Sequence, residues 1–296
     1  MRVDRGIVSR LLHIDGRPVL VRAWQPAKQR VALRAEPVDP GAVACPLSAG
    51  ESDSEEPAGR AELETAIERM RFALAVDEDL APFYKLFRSD RLIGPVVRRL
   101  PHLRPRRRPW PWEALAWAVT AQLIEAVRAA AIQRRIVRRW GPRLGAEAAA
   151  HRDVPGAAAI AGRAPAELQS MDLSAARAMA LRRCARQVAA GKADLADPAS
   201  DRRLLAIPEI GPWTVQCLGL HGRGDPDSLP AGDLAYVKLV GRLAGLGRRA
   251  TVDEVEEFYA PYAPYRALAG HFSLVGNHRK IAEGPPLRRA IEAYVD

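Results

Sequence analysis

Hydrophobic and polar positions in the first hundred residues predict a mixture of strands and helix. Residues 7–14 and 17–24 are two runs rich in apolar side chains, separated by the dipeptide Asp15-Gly16. An Asp-Gly pair between two such runs is a strong signal for the tight turn of a β-hairpin. Residues 31–35 continue the pattern as a candidate third strand. The beginning of the chain is therefore predicted to form a small antiparallel sheet.

The hydrophobic pattern then changes to that of a helix. Four apolar side chains recur at i, i+4, i+7 and i+11, which places them on one helical face. They are Leu63, Ile67, Met70 and Leu74. The preceding segment, residues 40–59, is polar and acidic and contains Gly, Pro and Ser, so we expect a mobile loop there.

From about Trp110 onward the pattern is helical throughout. Residues 112–140 carry spaced apolar side chains in an alanine-rich background, and Gly141-Pro142 ends this predicted helix. Further helices are predicted at 165–170, 174–190, 200–206, 213–221, 233–245, 252–259, 264–275 and 286–294. The predicted fold class is α+β, with a small N-terminal antiparallel β-sheet domain with helices over residues 1–105 and a mostly α-helical domain over residues 106–296.

Arginine dominates the charge of the chain and is unevenly distributed. The formal net charge is +10 and the pI is about 10.0. Seven arginines and no acidic residue lie between Arg91 and Trp110, and five more arginines follow between Arg128 and Arg139. A solvated helix face and a basic loop would explain either group alone. Two groups that flank one apolar helix favour a surface facing the phosphates of a nucleic acid.

Cysteine usage and hydropathy exclude other classes of protein. Cys45, Cys184 and Cys217 lie far apart, which argues against a disulfide framework and against a four-cysteine metal or iron–sulfur site. No apolar run approaches the roughly 20 residues of a membrane span, and the N-terminus lacks the apolar stretch of a signal peptide. We expect a cytoplasmic protein without membrane contact.

A tight turn between two short predicted helices is the first candidate binding element. A turn of this kind points consecutive backbone N–H groups outward at the start of the second helix, where the helix dipole also favours an anion. The predicted phosphate-binding hairpin consists of Ile207, Pro208, Glu209, Ile210 and Gly211. An ordinary helix-helix turn rich in Gly and Pro explains the same spacing equally well.

Several segments, in order along the chain, carry a resemblance to one family. They are residues 79–84 (DLAPFY), 112–115 (WEAL), 120–123 (TAQL), 207–214 (IPEIGPWT), 230–234 (PAGDL) and 264–269 (PYRALA). The string IPEIGPWT resembles the helix-hairpin-helix element of a superfamily of DNA glycosylases, and PAGDL resembles the segment that carries their catalytic aspartate. The resemblance covers roughly residues 75–280. It is strongest to the bacterial inducible 3-methyladenine-DNA glycosylases, the AlkA type.

Asp233 has two interpretations. It follows Gly232 and opens an apolar helical run, so the sequence alone favours an N-cap. The resemblance implies that Asp233 is also the catalytic carboxylate. Breaking an N-glycosidic bond builds positive charge on the deoxyribose, which an ionised carboxylate stabilises while it orients or deprotonates the attacking water.

The resemblance also assigns a base pocket and a reaction subtype. Trp213 occupies the position where lyase-competent members of the superfamily carry a lysine, so a monofunctional hydrolase is implied. Trp213, Tyr265 and Cys217 are the implied pocket residues, with Cys217 at a position that often holds tyrosine in the family. An electron-rich indole suits a cationic alkylpurine. Core packing is the alternative for each of these side chains.

Gln122 and Leu123 complete the set of candidate residues. The resemblance implies that they form a lesion-side loop in which Leu123 is the wedge inserted where the flipped base was, and Gln122 touches the neighbouring base pair. Composition alone would place Leu123 in the core.

The resulting expectation is a DNA glycosylase that hydrolyses the bond between alkylated purines, of the 3-methyladenine or 7-methylguanine type, and deoxyribose. Its expected partner is double-stranded DNA containing damaged bases, its expected state is a monomer, and no organic cofactor or metal is expected. Two alternatives remain open. One is a glycosylase for another lesion, such as hypoxanthine or uracil, and the other is a non-catalytic DNA-binding or damage-sensing protein.

Overall fold

The computed structural model describes residues 2–28, 30–44, 56–146 and 150–281. Within them the chain forms two compact units. The first contains the chain up to Val76 and Val119–Ala193, and the second contains Asp77–Ala118 and the chain from Asp194 onward. Both units are assembled from separate stretches of sequence, so they divide the chain in a different way from the predicted single boundary between residues 105 and 106. That boundary stays a prediction.

The helices follow one another along most of the described chain. In chain order they are α1 (Arg60–Leu74), α2 (Ala81–Phe87), α3 (Gly94–Arg99), α4 (Pro111–Ala121), α5 (Ala126–Trp140), α6 (Ala157–Ala161), α7 (Pro165–Gln169), α8 (Ala175–Ala189), α9 (Asp201–Leu205), α10 (Pro212–Leu218), α11 (Leu234–Leu243), α12 (Val252–Tyr259) and α13 (Arg266–Ile281). One turn of π-helix, Gly219–Arg223, continues α10.

A four-stranded antiparallel sheet forms the base of the first unit. Its strands are β1 (Arg2–Asp4), β2 (Ile7–Ile14), β3 (Arg17–Ala27) and β4 (Arg30–Pro37), in the order β1-β2-β3-β4. The predicted hairpin and the candidate third strand are therefore confirmed. Asp15 and Gly16 join β2 to β3 with φ values of +48° and +80°. Positive φ at both positions is what the two-residue type I′ turn requires, and Asp-Gly supplies it at low cost.

The first unit packs helices against this sheet. The helix α1 contacts β2, β3 and β4, while α6 and α7 pack against α8. Leu11 and Leu20 are partners across β2 and β3 and are both buried. Full burial of a leucine side chain contributes roughly 1.5–3 kcal/mol, which explains why the apolar runs of the sequence set the register of the sheet.

The second unit is helical and encloses an aromatic core. It contains α2, α3, α4 up to Ala118, and α9 to α13. Phe83 on α2 and Phe272 on α13 are fully buried, with ring centroids 5.2 Å apart. Tyr259, at the end of α12, is also fully buried and bonds to the Ser273 hydroxyl at 2.6 Å. This core fixes the positions of the helices that carry the candidate site.

The single helix predicted over residues 112–140 is wrong. The helix α4 ends at Ala121 and α5 begins at Ala126. Leu123 lies between them with φ +56°. A residue in this left-handed conformation cannot continue a right-handed helix and costs roughly 1–2 kcal/mol. Helix propensity predicted one continuous helix because it is a local property of the sequence. It does not include the tertiary contacts around the loop between α4 and α5.

The expectation of helix throughout the second half of the chain is also wrong. A second antiparallel sheet joins β5 (Val43–Ala44), β6 (Arg143–Leu144) and β7 (His151–Arg152). The predicted helix at 286–294, Cys45, and much of the loop predicted over residues 40–59 lie outside the described residues. No helix in the described part of the chain is long and apolar enough to cross a membrane.

Candidate active site

The hairpin of residues 206–211 connects α9 to α10. Ile207 and Ile210 are buried, and they anchor the turn to the second unit. The Ile210 N–H donates to the Ile207 carbonyl at 3.0 Å. Between them, Glu209 is exposed and adopts φ +72°. This is the left-handed region that glycine occupies without penalty, so the turn has the backbone shape of a glycine hairpin with a glutamate in its place.

Gly211 and Pro212 determine how α10 begins. Gly211 is the N-cap and has no side chain to accept hydrogen bonds from the N–H groups of the first turn. Pro212 follows at the first helical position, where the missing N–H has no cost. Thr214 is buried with 1% exposure. The structure therefore shows a tight turn anchored by buried side chains, whereas binding of a phosphate there stays a prediction.

Arg223 connects the segments that precede and follow the hairpin. The Arg223 guanidinium donates to both carboxylate oxygens of Asp201 on α9, at 2.9 and 2.5 Å. Its Nε donates to the Leu195 carbonyl at 2.8 Å. Bidentate arginine–carboxylate pairs fix geometry as well as adding energy. This pair ties the π-helical turn after α10 to the helix before the hairpin, so both flanks of the turn are held.

Asp233 is the N-cap of α11. Its Oδ1 accepts a hydrogen bond from the Ala235 backbone N–H at 2.8 Å. Its Oδ2 accepts from the indole Nε1–H of Trp213 on α10 at 3.4 Å. Both side chains are half-buried. The cap predicted from sequence is therefore present, and it orients the carboxylate while the second oxygen is held by a long hydrogen bond.

Buried polar side chains lie within electrostatic reach of Asp233. Burial, and then the charge of Asp233, raise the pKa of the Cys217 thiol. Burial also raises the pKa of Tyr236 on α11, with a smaller contribution from Asp233. Cys217 thus behaves as a small apolar group, not as a thiolate nucleophile. Trp213 thus contacts Asp233 directly and Cys217 lies within its electrostatic reach, whereas their roles as a base pocket stay a prediction.

His221 is a neighbour of Asp233 that the sequence did not single out. It lies in the π-helical turn, and its Nδ1–H donates to the Arg106 carbonyl at 2.6 Å. Burial lowers the pKa of this imidazole, with smaller opposing contributions from the Arg106 carbonyl and from Asp233. A neutral ring is therefore favoured. The helix pattern could not reveal this residue, because only the wider π turn after α10 gives it this position.

Tyr265, the third predicted pocket residue, packs among aromatic rings. Its ring lies 5.7 Å from that of Phe83 and 6.4 Å from that of Phe87, in edge-to-face arrangements. It is partly buried against the aromatic core. The structure thus gives Tyr265 a packing role, and its contact with a base stays a prediction.

Gln122 and Leu123 lie in the loop between α4 and α5, in the first unit. Leu123 is 104% exposed, so the interpretation of this residue as core is wrong. The loop is held at its base, because the Thr120 hydroxyl accepts from Gln133 at 3.1 Å and the Thr120 carbonyl accepts from Arg177 at 3.0 Å. Leu123 therefore contributes no packing in the described structure, and its role as a wedge stays a prediction.

Comparisons with known proteins were informative in sequence and in structure, although no protein-family model matches the chain. The chain is 25% identical over 202 residues to the DNA-3-methyladenine glycosylase of Bacillus subtilis, and the match covers 66% of this chain and 66% of that protein, slightly less than two thirds of its length.

Two solved structures share the fold over most of their length. The 3-methyladenine DNA glycosylase from Archaeoglobus fulgidus aligns with a TM-score of 0.76 and 19% identity, covering 95% of this chain and 90% of that chain. An 8-oxoguanine glycosylase/lyase of Clostridium acetobutylicum, solved with double-stranded DNA, aligns with a TM-score of 0.66 and 12% identity, covering 92% and 89%. The chain has the helix-hairpin-helix DNA glycosylase fold. Its sequence similarity lies with the 3-methyladenine type, as the motifs predicted.

Four arginines of the two basic groups form ion pairs with acidic side chains of the same unit. Arg107 has a side chain only 9% exposed and forms an ion pair with Glu78. Arg108 donates to the buried Glu113 at 3.3 Å. In the first unit, two more of the predicted surface arginines form ion pairs with Asp172, namely Arg128 and Arg135. Arg107 and Arg108 are largely buried in these pairs, whereas Arg128 and Arg135 stay about half-exposed. A DNA-facing role for the two arginine groups stays a prediction.

The described residues contain no cluster of metal-ligating side chains. No group of three or more His, Cys, Asp or Glu side chains within the described residues could hold a metal ion. Cys184 and Cys217 are both buried free thiols.

Proposed function

We propose that the chain is a monofunctional DNA glycosylase that hydrolyses the N-glycosidic bond of alkylated purines in duplex DNA. The observation that carries this proposal is the carboxylate of Asp233, held at the N-cap of α11 with one oxygen 3.4 Å from the Trp213 indole nitrogen. Similarity to 3-methyladenine glycosylases supports the substrate class, and a neighbour of the same fold bound to double-stranded DNA supports the partner. The protein acts on DNA as a monomer in this proposal.

The chemistry follows from where charge develops. As the glycosidic bond breaks, the deoxyribose becomes cationic, and an ionised carboxylate beside it stabilises that charge. Asp233 also orients or deprotonates the water that attacks the sugar. The products are the free base and an abasic site. Because the cap fixes one oxygen of Asp233, the other oxygen is pre-positioned and pays little reorganisation during the reaction.

The surroundings of Asp233 favour a cationic substrate. A purine alkylated at a ring nitrogen carries positive charge and leaves without prior protonation. The indole of Trp213 attracts such a base through its π face. Burial lowers the pKa of His221, which favours the uncharged ring and so disfavours a positive charge that would repel the cationic base. Cys217 and Tyr265 complete the proposed pocket wall, and Leu123 is the proposed wedge that replaces the flipped base in the duplex.

The decisive experiment is single-turnover release of 3-methyladenine and 7-methylguanine from methylated duplex DNA at saturating protein. We expect Asp233→Asn to release base roughly 10²–10³ times more slowly, the usual loss when one electrostatic stabiliser is removed. The matched control is Asp225→Asn, an exposed carboxylate in the loop between the π turn and α11 that caps the Asp227 N–H at 2.9 Å. Equal rates for a folded, DNA-bound Asp233→Asn and for the parent would refute a catalytic role.

The same assay distinguishes the two alternatives. Duplexes containing hypoxanthine or uracil test for a different lesion. A damage sensor would bind methylated DNA without releasing any base, and the exposed Glu209 in the hairpin is the observation that favours it, because an acid there opposes tight phosphate contact.

A further inference from the structure

The loop that precedes Asp233 is tied to the first turn of α13 by the side chain of Asp227. One carboxylate oxygen, Oδ1, accepts hydrogen bonds from the backbone N–H and the Nε–H of Arg266, both at 2.9 Å. The other oxygen accepts from a terminal nitrogen of the same guanidinium. The Leu268 N–H donates to the Pro226 carbonyl at 3.0 Å. Side-chain and backbone bonds therefore join two consecutive loop residues to the start of one helix.

From Asp227 the chain reaches Asp233 through a series of short backbone turns. The Leu229 N–H donates to the Asp227 carbonyl at 2.9 Å, and the Ala231 N–H donates to the Leu229 carbonyl at 2.8 Å. The Asp233 N–H then donates to the Pro230 carbonyl at 2.9 Å. Leu229 and Ala231 are also buried. This segment can therefore absorb little displacement of Asp227 before the displacement reaches Asp233.

The helix α13 is a fixed reference for this segment. Phe272 of α13 is fully buried in the aromatic core of the second unit. Two turns of helix closer to Asp227, α13 also approaches its neighbours closely. A Cβ atom at Gly270 would lie 2.8 Å from Cδ1 of Leu229 and 2.9 Å from the ring of Tyr236 on α11, so a larger side chain would displace one of them. The loop and the start of α11 thus both rest against α13.

We propose that Asp227 and Arg266 are a pair of positioning residues that hold the carboxylate of Asp233 in place for base release. This inference rests on the proposed function, because it concerns the same carboxylate. Neither member of the pair is proposed to touch the substrate, and both act through the loop. Accurate placement matters because a displacement of about 1 Å, even one caused far from the reacting atoms, can lower a rate by about 10²-fold.

The geometry of the pair suits positioning more than stabilisation. Both carboxylate oxygens of Asp227 are used by one planar guanidinium, which fixes direction as well as distance. Hydrogen bonds from the Arg266 side chain lower the pKa of Asp227, so the pair stays charged at neutral pH. The Arg266 side chain is 41% exposed, and ion pairs at such exposure add little to stability. Loss of the pair is therefore expected to leave the protein folded.

The test combines single-turnover release of 7-methylguanine at saturating protein with the Kd for the same duplex. Arg266→Gln removes the guanidinium bonds but keeps the backbone N–H that Asp227 accepts from. The matched control is Arg248→Gln, because Arg248 forms a bidentate pair with Glu254 in the same unit, at 2.6 and 2.8 Å. The Arg248 side chain is 56% exposed, so the control removes a pair of the same chemistry from a comparable environment.

We expect Arg266→Gln to release base about ten- to a hundredfold more slowly with an unchanged Kd, and Arg248→Gln to match the parent. In an Asp233→Asn background, Arg266→Gln is expected to cause no further slowing, because it acts through the carboxylate that is already lost. Arg266→Lys keeps the charge but not the planar fork, so its rate is expected to lie between those of the parent and Arg266→Gln. Amide hydrogen exchange over residues 226–235 is expected to be faster in Arg266→Gln than in Arg248→Gln.

The proposal is overturned if Arg266→Gln matches Arg248→Gln in rate or in amide exchange. It is also overturned if the slower release follows from weaker duplex binding, or if Arg266→Gln slows release equally in the parent and in the Asp233→Asn background. Circular dichroism and Tm show whether Arg266→Gln folds, and Arg266→Lys with Arg248→Lys as its control carries the same test if it does not. Failure of the proposed function gives a different result, namely equal rates for Asp233→Asn and the parent.

Discussion

The indole nitrogen of Trp213 lies 3.4 Å from Oδ2 of Asp233, whose other oxygen caps α11. One side chain comes from the helix after the hairpin and the other from the start of the next α-helix. The contact therefore connects the element proposed to bind DNA with the carboxylate proposed to act on the sugar. The long distance indicates a weak hydrogen bond, which a water molecule or a sugar can replace at little cost.

Replacement of Asp233 by two different residues separates its structural role from its chemical role. Asn retains the cap, whereas Ala removes it and costs roughly 0.5–2 kcal/mol of stability. We expect chemical denaturation to show near-parent stability for Asp233→Asn and a loss for Asp233→Ala. Base release is expected to be slow in both variants. If only the Ala variant were slow, the cap and not the charge would explain the effect.

Trp213→Phe tests how the pocket selects cationic bases. The variant keeps an aromatic ring but loses the N–H that contacts Asp233, and phenylalanine attracts cations less strongly than tryptophan. Attraction of this kind is worth about 0.5–2 kcal/mol, so we expect release of 7-methylguanine to fall by roughly two- to thirtyfold. Release of hypoxanthine, a neutral base, is the internal comparison. A uniform loss for both bases would assign Trp213 to packing.

We predict that the protein has no lyase activity, which can be tested by turnover in the presence of borohydride. The motif resemblance assigns Trp213 to the position of the attacking lysine, and tryptophan cannot form a Schiff base. Lys238 on α11 is exposed, five residues after Asp233. We expect no covalent protein–DNA adduct on a denaturing gel with parent protein or with Lys238→Ala. A stoichiometric adduct in the parent would overturn the monofunctional assignment, and its loss in Lys238→Ala would identify the nucleophile.

Glu209 in the hairpin provides a prediction on affinity and stability together. A non-glycine residue at φ +72° costs roughly 1–2 kcal/mol, part of which is offset because glycine loses more entropy on folding. We expect Glu209→Gly to stabilise the protein by about 0.5–1 kcal/mol and to tighten duplex binding. Glu209→Gln removes only the charge, so it should tighten binding without the gain in stability. Unchanged binding in both variants would mean that this hairpin does not hold a phosphate.

Local signals predicted the first sheet and the cap well. Asp15-Gly16 determines its own turn, and Gly232-Asp233 before an apolar run determines the start of α11. The small sheet of β5, β6 and β7 was not predictable, because its strands have two residues each and Val43 pairs with Leu144, a partner far away in sequence. Two-residue strands leave no periodicity to read.

The residues of the candidate site that lie in sequence motifs could be predicted. Those whose positions depend on tertiary contacts could not. Motif resemblance placed Trp213 and Asp233 together, but His221 depends on a π turn that no sequence pattern announces. The break between α4 and α5 was likewise not predictable from the local sequence pattern. Beside it, Gln133 and Arg177 donate hydrogen bonds to Thr120, and these are tertiary contacts that local helix propensity does not include.

Leu123 carries the last prediction. Its side chain is fully exposed, so Leu123→Ala removes no packing and is expected to change stability by less than about 0.5 kcal/mol. A wedge, in contrast, compensates the unstacking of a base step, which costs a few kcal/mol. We therefore expect at least about a tenfold weaker flipping of the lesion in Leu123→Ala, measured by the fluorescence of 2-aminopurine beside it.

Val127→Ala is the matched control for this experiment, because Val127 lies in the first turn of α5 and is 78% exposed. Both variants lose a similar exposed apolar side chain, but only Leu123 occupies the strained tip of the loop. Equal flipping by the two variants would show that a general apolar surface, and not a wedge, contacts the DNA. Reduced flipping in Leu123→Ala alone would explain why the chain keeps a leucine at φ +56°, since the conformational cost is then balanced by a contact made only on DNA.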